Sequence, residues 1–154
     1  MKELKWGLIF ITAIILWMVI EKATGLHAEH IQYHAVFSNF FAIVAIIIFI
    51  FALRDIRQSQ PPQRVTWLTL FLSGVKISVV IALLSPPTQF LIHSVISPEF
   101  FPNMREYATA SGMMSETRAN EYFSLVAYMF QSAIFAFGMG VVTSAIIAFF
   151  LKRK

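Results

Sequence analysis

VTWLTLFLSGVKISVVIALL, residues 65–84, is the segment that decides the fold of this chain. A helix of twenty residues is about 30 Å long, which matches the hydrocarbon thickness of a bilayer. Lys76 lies near the middle, where a charge costs at least about 2.5 kcal/mol and therefore needs a partner or water. The segment predicts a transmembrane helix with a polar site at Lys76.

The composition places the rest of the chain in the membrane as well. Of the 154 residues, 58% are hydrophobic and 13% are charged, whereas soluble domains carry about 25% charged residues. The absence of cysteine excludes disulfides and thiolate metal sites. The net charge of +4 does not indicate a nucleic-acid partner, because the basic residues cluster at the ends of apolar segments. We therefore predict a single-domain integral membrane protein that is surrounded by the lipid bilayer.

Hydropathy predicts four spans, at about residues 6–26, 36–53, 65–84 and 123–151. The predicted fold class is all-α, a polytopic transmembrane four-helix bundle. The longest connection, residues 86–121, is predicted to form a short helical extracytoplasmic cap.

Within this connection, several local signals predict where helices begin and end. Pro86 and Pro87 are expected to end the third span, and residues 88–96 are too short to cross, which predicts an interfacial or re-entrant segment. Ser97, Pro98 and Glu99 have the order of a helix start, and Gly112 is a stop signal. Ser115 is expected to cap the last helix, which would begin outside the bilayer.

The distribution of basic residues predicts the orientation. With both termini in the cytoplasm, three basic residues lie outside, namely Lys22, Arg105 and Arg118. The inner side then holds Lys2, Lys5, Arg54, Arg57, Arg64, Lys152, Arg153 and Lys154. This excess of positive charge inside predicts a multi-pass protein with cytoplasmic N- and C-termini.

Several motifs resemble a family of small four-span bacterial membrane proteins that is classed as a domain of unknown function. They are EKATGLHAEHIQYHAVFSNFFAI (21–43), ALRD (52–55), LLSPPTQF (83–90), ISPEFFPNMREYA (96–108) and TSAIIAFFLKRK (143–154). The resemblance covers essentially the whole chain. It implies the four-span architecture and the bacterial inner membrane, and it implies no activity.

The polar residues of the third span predict an intramembrane site. Thr69, Ser73 and Lys76 share one helix face. Counting about 1.5 Å per residue from the cytoplasmic ends brings Glu21 and Asn39 to a depth that the lysine side chain can reach. The hypothesis is a Lys76–Glu21 ion pair assisted by Asn39. It would serve either as a transport site or as a structural pair, and a lysine that extends to outer water is the other alternative.

Four histidines fall on the predicted outer side, namely His27, His30, His34 and His93. The first three are spaced three and four apart, which places them on one face if the segment is helical. Imidazole binds zinc and copper, so a metal site is one interpretation. A pH-responsive role and ordinary solvated histidines are the alternatives. No other cofactor is predicted.

A ridge of small residues follows the last span at four-residue steps. Small residues allow close helix contact in lipid, either within the bundle or in a homo-oligomer. The ridge comprises Ser132, Ala136, Gly140, Ser144 and Ala148.

No sequence motif assigns an activity. There is no glycine-rich phosphate loop, no serine-nucleophile motif and no helical His-Glu-x-x-His pattern. An accessory or structural membrane protein is therefore favoured over an enzyme. The alternatives are a small transporter or channel at Lys76, and a metal-binding protein or enzyme that uses the outer histidines.

Overall fold

A computed structural model describes residues 1–152, and within this range every regular element is helical. The predicted basic tail residues Arg153 and Lys154 lie outside the described residues. The α-helices are α1 (Lys2–Ala23), α2 (His34–Asn39), α3 (Phe41–Gln58), α4 (Trp67–Leu91), α5 (Phe100–Ala110), α6 (Glu116–Tyr122) and α7 (Leu125–Leu151). Short 3₁₀ turns cover Ile31–Tyr33 and Pro62–Arg64, and a π-helical turn, Ile92–Ile96, extends α4.

Four of these helical segments are long and apolar enough to cross a membrane. They are Lys2–Ala23, Ile31–Gln58, Trp67–Ile96 and Leu125–Leu151. Their outer surface is apolar, and Leu83 and Ile134 are each 72% exposed. Large apolar side chains in such positions suit a lipid environment and not water. The predicted all-α transmembrane bundle is thereby confirmed.

α4 lies at the centre of the bundle and packs against α1, α3 and α7. At one end, which we call the termini end, Asp55 of α3 accepts hydrogen bonds from Lys2 Nζ at 2.5 Å and from Trp6 Nε1 at 2.9 Å. At the other end, which we call the cap end, α5 and α6 cover the bundle around a second apolar cluster that contains Phe100, Phe101 and Met104. The cap end carries the site described below.

The contact between α4 and α7 is a seam of glycine and serine. Ser144 of α7 lies against Gly74, and Ser78 of α4 lies against Gly140. Each serine hydroxyl donates to the glycine carbonyl one turn earlier in its own helix, Ser78 to Gly74 at 2.9 Å and Ser144 to Gly140 at 2.6 Å. The hydroxyls therefore need no partner across the seam, and the two backbones approach closely.

Two buried positions of the small-residue ridge, Gly140 and Ser144, face α4 of the same chain. Gly140, Ser144 and Ala148 are buried, and Ser132 and Ala136 are half-buried. Gly140, Ser144 and Ala148 are therefore not available at the surface for contact with a second copy of the chain.

Two expectations about the connection after span three are wrong. α4 does not end at Pro86 but continues through both prolines to Leu91 and into the π-helical turn, so residues 88–96 are not a separate segment. Hydroxyls beside the prolines bond to helix carbonyls, Ser85 Oγ to Ile81 at 2.8 Å and Thr88 Oγ1 to Leu84 at 2.7 Å. The carbonyls that lose their helix donors at Pro86 and Pro87 are those of Ala82 and Leu83, so these hydroxyls flank the interrupted turn and do not replace the missing donors.

The helix starts in the cap region also differ from expectation. α5 begins at Phe100 and not at Pro98, because the Ser97 hydroxyl bonds to other side chains and caps no helix. Ser115 caps only the short α6, since its hydroxyl accepts from Arg118 N. Extended backbone at Ser124 then separates α6 from α7, and the Ser124 hydroxyl caps α7.

Candidate metal site at the cap end

The centre of the site is the carboxylate of Glu21, which is 1% exposed near the end of α1. One of its oxygens, Oε1, accepts hydrogen bonds from Trp17 Nε1 at 2.6 Å and from Ser38 Oγ at 2.7 Å. Trp17 lies one turn earlier in α1, and Ser38 belongs to α2. These two donors fix the carboxylate so that Oε2 faces two imidazoles.

Those imidazoles belong to His27, in the loop after α1, and His34, at the start of α2. His27 Nε2 lies 3.3 Å from Glu21 Oε2, and His34 Nδ1 lies 3.5 Å from the same oxygen. Ligands held at 2.0–2.1 Å around a tetrahedral zinc ion are about 3.4 Å apart, so both distances fit such an ion. One ligand atom from each of the three residues lies within 4.8 Å of the others. The group could hold a metal ion.

The hydrogen bonds of His27 determine which of its nitrogens faces Glu21 without a proton. Its Nδ1 lies 2.8 Å from Ser97 Oγ, and Ser97 Oγ donates to Glu99 Oε1 at 3.2 Å. A hydroxyl has one proton, and the carboxylate of Glu99 can only accept, so His27 Nδ1–H donates to Ser97. In a neutral imidazole the Nε2 lone pair then faces a carboxylate lone pair. Only a proton or a metal ion between the two atoms makes this contact favourable.

The loop Thr24–His30 folds so that His27 points inward. Gly25 adopts φ +78°, a left-handed conformation that favours glycine, and its carbonyl accepts from His30 N at 2.8 Å. Asn103 of α5 donates through Nδ2 to the His27 carbonyl at 2.9 Å. As a result His27 is 1% exposed, whereas His30 faces outward.

A salt bridge at the edge of the site connects α1 to the cap. Lys22 Nζ lies 3.5 Å from Glu99 Oε1 and donates to the Ile96 carbonyl. Partial burial acts to raise the pKa of Glu99, but hydrogen bonding from its own backbone and the Lys22 charge outweigh it and lower the pKa. The contribution of Glu99 to stability is therefore present above the ordinary pKa of a glutamate and is lost as the pH falls through the lower folded value.

One buried ring, Phe100 of α5, contacts three of the four histidines. Its centroid lies 5.0 Å from that of His27, 4.8 Å from that of His34 and 5.0 Å from that of His93. Phe100 is 0% exposed, so the cap closes the site with an apolar side chain. Water is thereby kept from the imidazoles on this side, which strengthens their interactions with charge.

Three of the histidines named from the sequence gather here, but not in the predicted way. His27 and His34 face Glu21, His93 contacts the same Phe100 ring, and His30 is exposed outside the cluster. The prediction that His27, His30 and His34 share one helix face is wrong because residues 24–30 form turns.

The predicted intramembrane site at Lys76 does not assemble. Glu21 is occupied by Trp17, Ser38 and the two imidazoles, and within residues 1–152 no carboxylate forms a salt bridge with Lys76. Lys76 is exposed on α4, because the adjacent Ile77 faces the core. The predicted Lys76–Glu21 pair is therefore wrong, and Lys76 lies on the exposed surface of α4.

The other residues of that predicted site, Asn39, Thr69 and Ser73, lie elsewhere and do not join Lys76. Asn39 is exposed and donates to the Ala35 carbonyl of its own helix at 2.9 Å. Thr69 forms a capping box with Thr66 at the start of α4. Ser73 is buried on the face of α4 that carries Gly74.

We expect Lys76→Met to leave the stability of the protein in detergent within about 0.5 kcal/mol of the original value, because the side chain is exposed and has no salt bridge within the described chain. Thermal unfolding monitored by intrinsic tryptophan fluorescence measures this. A large loss of stability in the Lys76→Met variant would show that the lysine has a buried partner.

The sequence comparison places the chain in a family. A family model described as "Protein of unknown function (DUF4199)" matches residues 5–153. The chain belongs to the DUF4199 family. The match confirms the resemblance to a domain of unknown function over nearly the whole chain. Comparisons with the curated proteins and with the solved structures each gave no match.

Three residues of the site, Trp17, Ser38 and Phe100, have no role in the sequence-based predictions, and Ser97 was predicted only as part of a helix start. Two of them leave a visible signal, because Trp17 precedes Glu21 by four residues and Ser38 follows His34 by four, the spacing of neighbours on a helix. Ser97 and Phe100 are far from Glu21 in the sequence. Only the docking of the cap brings them to the site.

Proposed function

We propose that this DUF4199 protein binds one divalent transition metal ion, zinc, through Glu21 Oε2, His27 Nε2 and His34 Nδ1. The observation that carries the proposal is the 3.3 Å distance between His27 Nε2 and Glu21 Oε2 in a buried site where His27 Nδ1 is engaged by Ser97. A buried carboxylate requires a compensating charge, and two imidazoles with one carboxylate form a known zinc ligand set.

Hydrogen bonds around the three ligands support the same proposal. In a metal-bound histidine, the N–H group of the second ring nitrogen donates a hydrogen bond to a neighbouring acceptor. Metal-bound carboxylates are themselves hydrogen-bonded. Here His27 Nδ1 bonds to Ser97, and Glu21 Oε1 accepts from Trp17 and Ser38. These partners hold both ligands in position before an ion arrives.

The role that follows is an accessory one in which the ion fixes the cap end of the bundle. The ligands come from α1, from the following loop and from α2, and the loop is joined to α5 through Asn103. An ion bound to all three would hold these segments together. The carboxylate favours zinc over monovalent copper, although imidazole accepts both metals.

The proposed location is the bacterial cytoplasmic membrane, with both termini in the cytoplasm and the site in the outer half of the bilayer. The distribution of described basic residues supports this orientation. Lys22, Arg105 and Arg118 are the basic residues of the cap end, and an excess of positive charge marks the cytoplasmic side. The termini end carries Lys2, Lys5, Arg54, Arg57, Arg64 and Lys152.

A direct test is the zinc content of the purified full-length chain. After treatment with a chelator and addition of zinc, we expect one ion per chain by elemental analysis and a single binding transition by calorimetry. Binding of no zinc would overturn the proposal and leave a proton as the group that joins His27 to Glu21.

A further inference from the structure

His93 is a buried imidazole without a hydrogen-bond partner. It lies in the π-helical turn that follows α4 and is 6% exposed. Within residues 1–152, neither Nδ1 nor Nε2 has a hydrogen-bond partner. Burying unpaired polar atoms is costly, and native proteins rarely do so without a reason. π-helical turns are themselves frequent at functional sites.

The rings around His93 cannot satisfy its nitrogens. Its ring centroid lies 4.2 Å from that of Phe101, and the ring of Tyr128 meets it edge-on at 5.5 Å. One turn earlier in the same helix, Gln89 Oε1 is also buried without a partner. When an imidazole binds a metal through one nitrogen, the N–H group of its other nitrogen donates a hydrogen bond to an acceptor such as a carbonyl oxygen.

One side chain, Phe100, contacts both His93 and two of the proposed metal ligands. The ring centroid of Phe100 lies 5.0 Å from that of His93 and 4.8 Å from that of His34. For His93 to join Glu21, His27 and His34 around an ion, this ring has to move. The three residues leave one position of a tetrahedral ion for a further ligand.

We propose that His93 is the fourth protein ligand of the metal ion, and that it reaches the ion when Phe100 moves aside. This inference rests on the proposed function. It makes the site a closed structural one, with four protein ligands and no metal-bound water. It also adds the end of α4 to the segments that the ion holds together.

The test compares His93→Phe with the control His30→Phe, which makes the same change at an exposed position. In His93→Phe we expect zinc affinity to fall by at least about 10-fold. X-ray absorption of the zinc-loaded protein should show three imidazoles in the original chain and two in the variant. The metal-free variant should unfold at a higher temperature than the original, because phenylalanine carries no unpaired nitrogens.

These measurements separate the two proposals. Zinc binding by the original chain together with unchanged affinity and imidazole count in His93→Phe would overturn the fourth ligand and leave the three-residue site intact. Failure of the original chain to bind zinc would overturn both. Lower affinity with an unchanged imidazole count would show that His93 acts through packing, and it would also overturn the assignment.

Discussion

Glu21→Gln is expected to lower zinc affinity by at least about 100-fold while leaving the metal-free protein as stable as before, or more stable. The affinity falls because the amide replaces the anionic ligand, and even changes to groups behind a ligand cost 10- to 100-fold. The metal-free protein is not harmed, because the amide oxygen can still accept from Trp17 and Ser38. The amide nitrogen can donate to His27 Nε2, where the carboxylate presents only a lone pair.

Calorimetric zinc titration and thermal unfolding of the chelator-treated protein measure the two effects. His34→Ala should lose affinity to a similar extent, since it also removes a ligand. His30→Ala is the matched control, because His30 belongs to the same loop but lies outside the cluster, and it should bind zinc as the original chain does. Equal zinc affinity in the Glu21→Gln variant would exclude Glu21 as a ligand.

Gly140→Leu should destabilise the protein by about 3 kcal/mol or more, the largest stability effect we expect from a single substitution. A Cβ atom at this position would lie 2.3 Å from Ser78 Oγ and 2.8 Å from Ser78 Cβ. Neither helix can yield locally, because the Ser78 hydroxyl is bonded to Gly74 and the opposite side of the seam repeats the contact at Ser144. Overpacking of such a contact typically costs 1–3 kcal/mol, and leucine adds four carbon atoms.

Gly138 provides a matched control two residues away in the same helix. Within the described chain, a Cβ atom at Gly138 meets nothing within 4 Å, so Gly138→Leu points into the surroundings of the bundle. Its thermal unfolding in detergent should remain close to that of the original protein. Because leucine favours helix more than glycine does, helix propensity cannot lower the stability of either variant. A similar loss of stability in both variants would therefore contradict the assignment of the effect to the seam.

The sequence predicted four helices long and apolar enough to span a membrane, because that property depends on length and hydropathy alone. It did not predict the rotation of each helix about its axis. Depth arithmetic placed Lys76 near Glu21, but depth says nothing about direction, and the core contacts of Ile77 turn Lys76 outward. The small-residue ridge showed that a close contact exists, and only the packed structure identifies α4 as the helix opposite it.

The candidate site was predictable in its residue types and not in its arrangement. The histidine spacing carried meaning only for a continuous helix, and Gly25 at φ +78° interrupts that continuity. The loop therefore directs His27 inward and leaves His30 outside. Glu21 joins the histidines through tertiary packing, which no local spacing encodes.

The measurement that tests the central claim most directly is a zinc-edge anomalous difference map from crystals of the zinc-loaded protein. We predict one strong peak within about 2.2 Å of Glu21 Oε2, His27 Nε2 and His34 Nδ1. A peak elsewhere on the molecule, or no peak at the cap end of a protein loaded with zinc, would contradict the assignment.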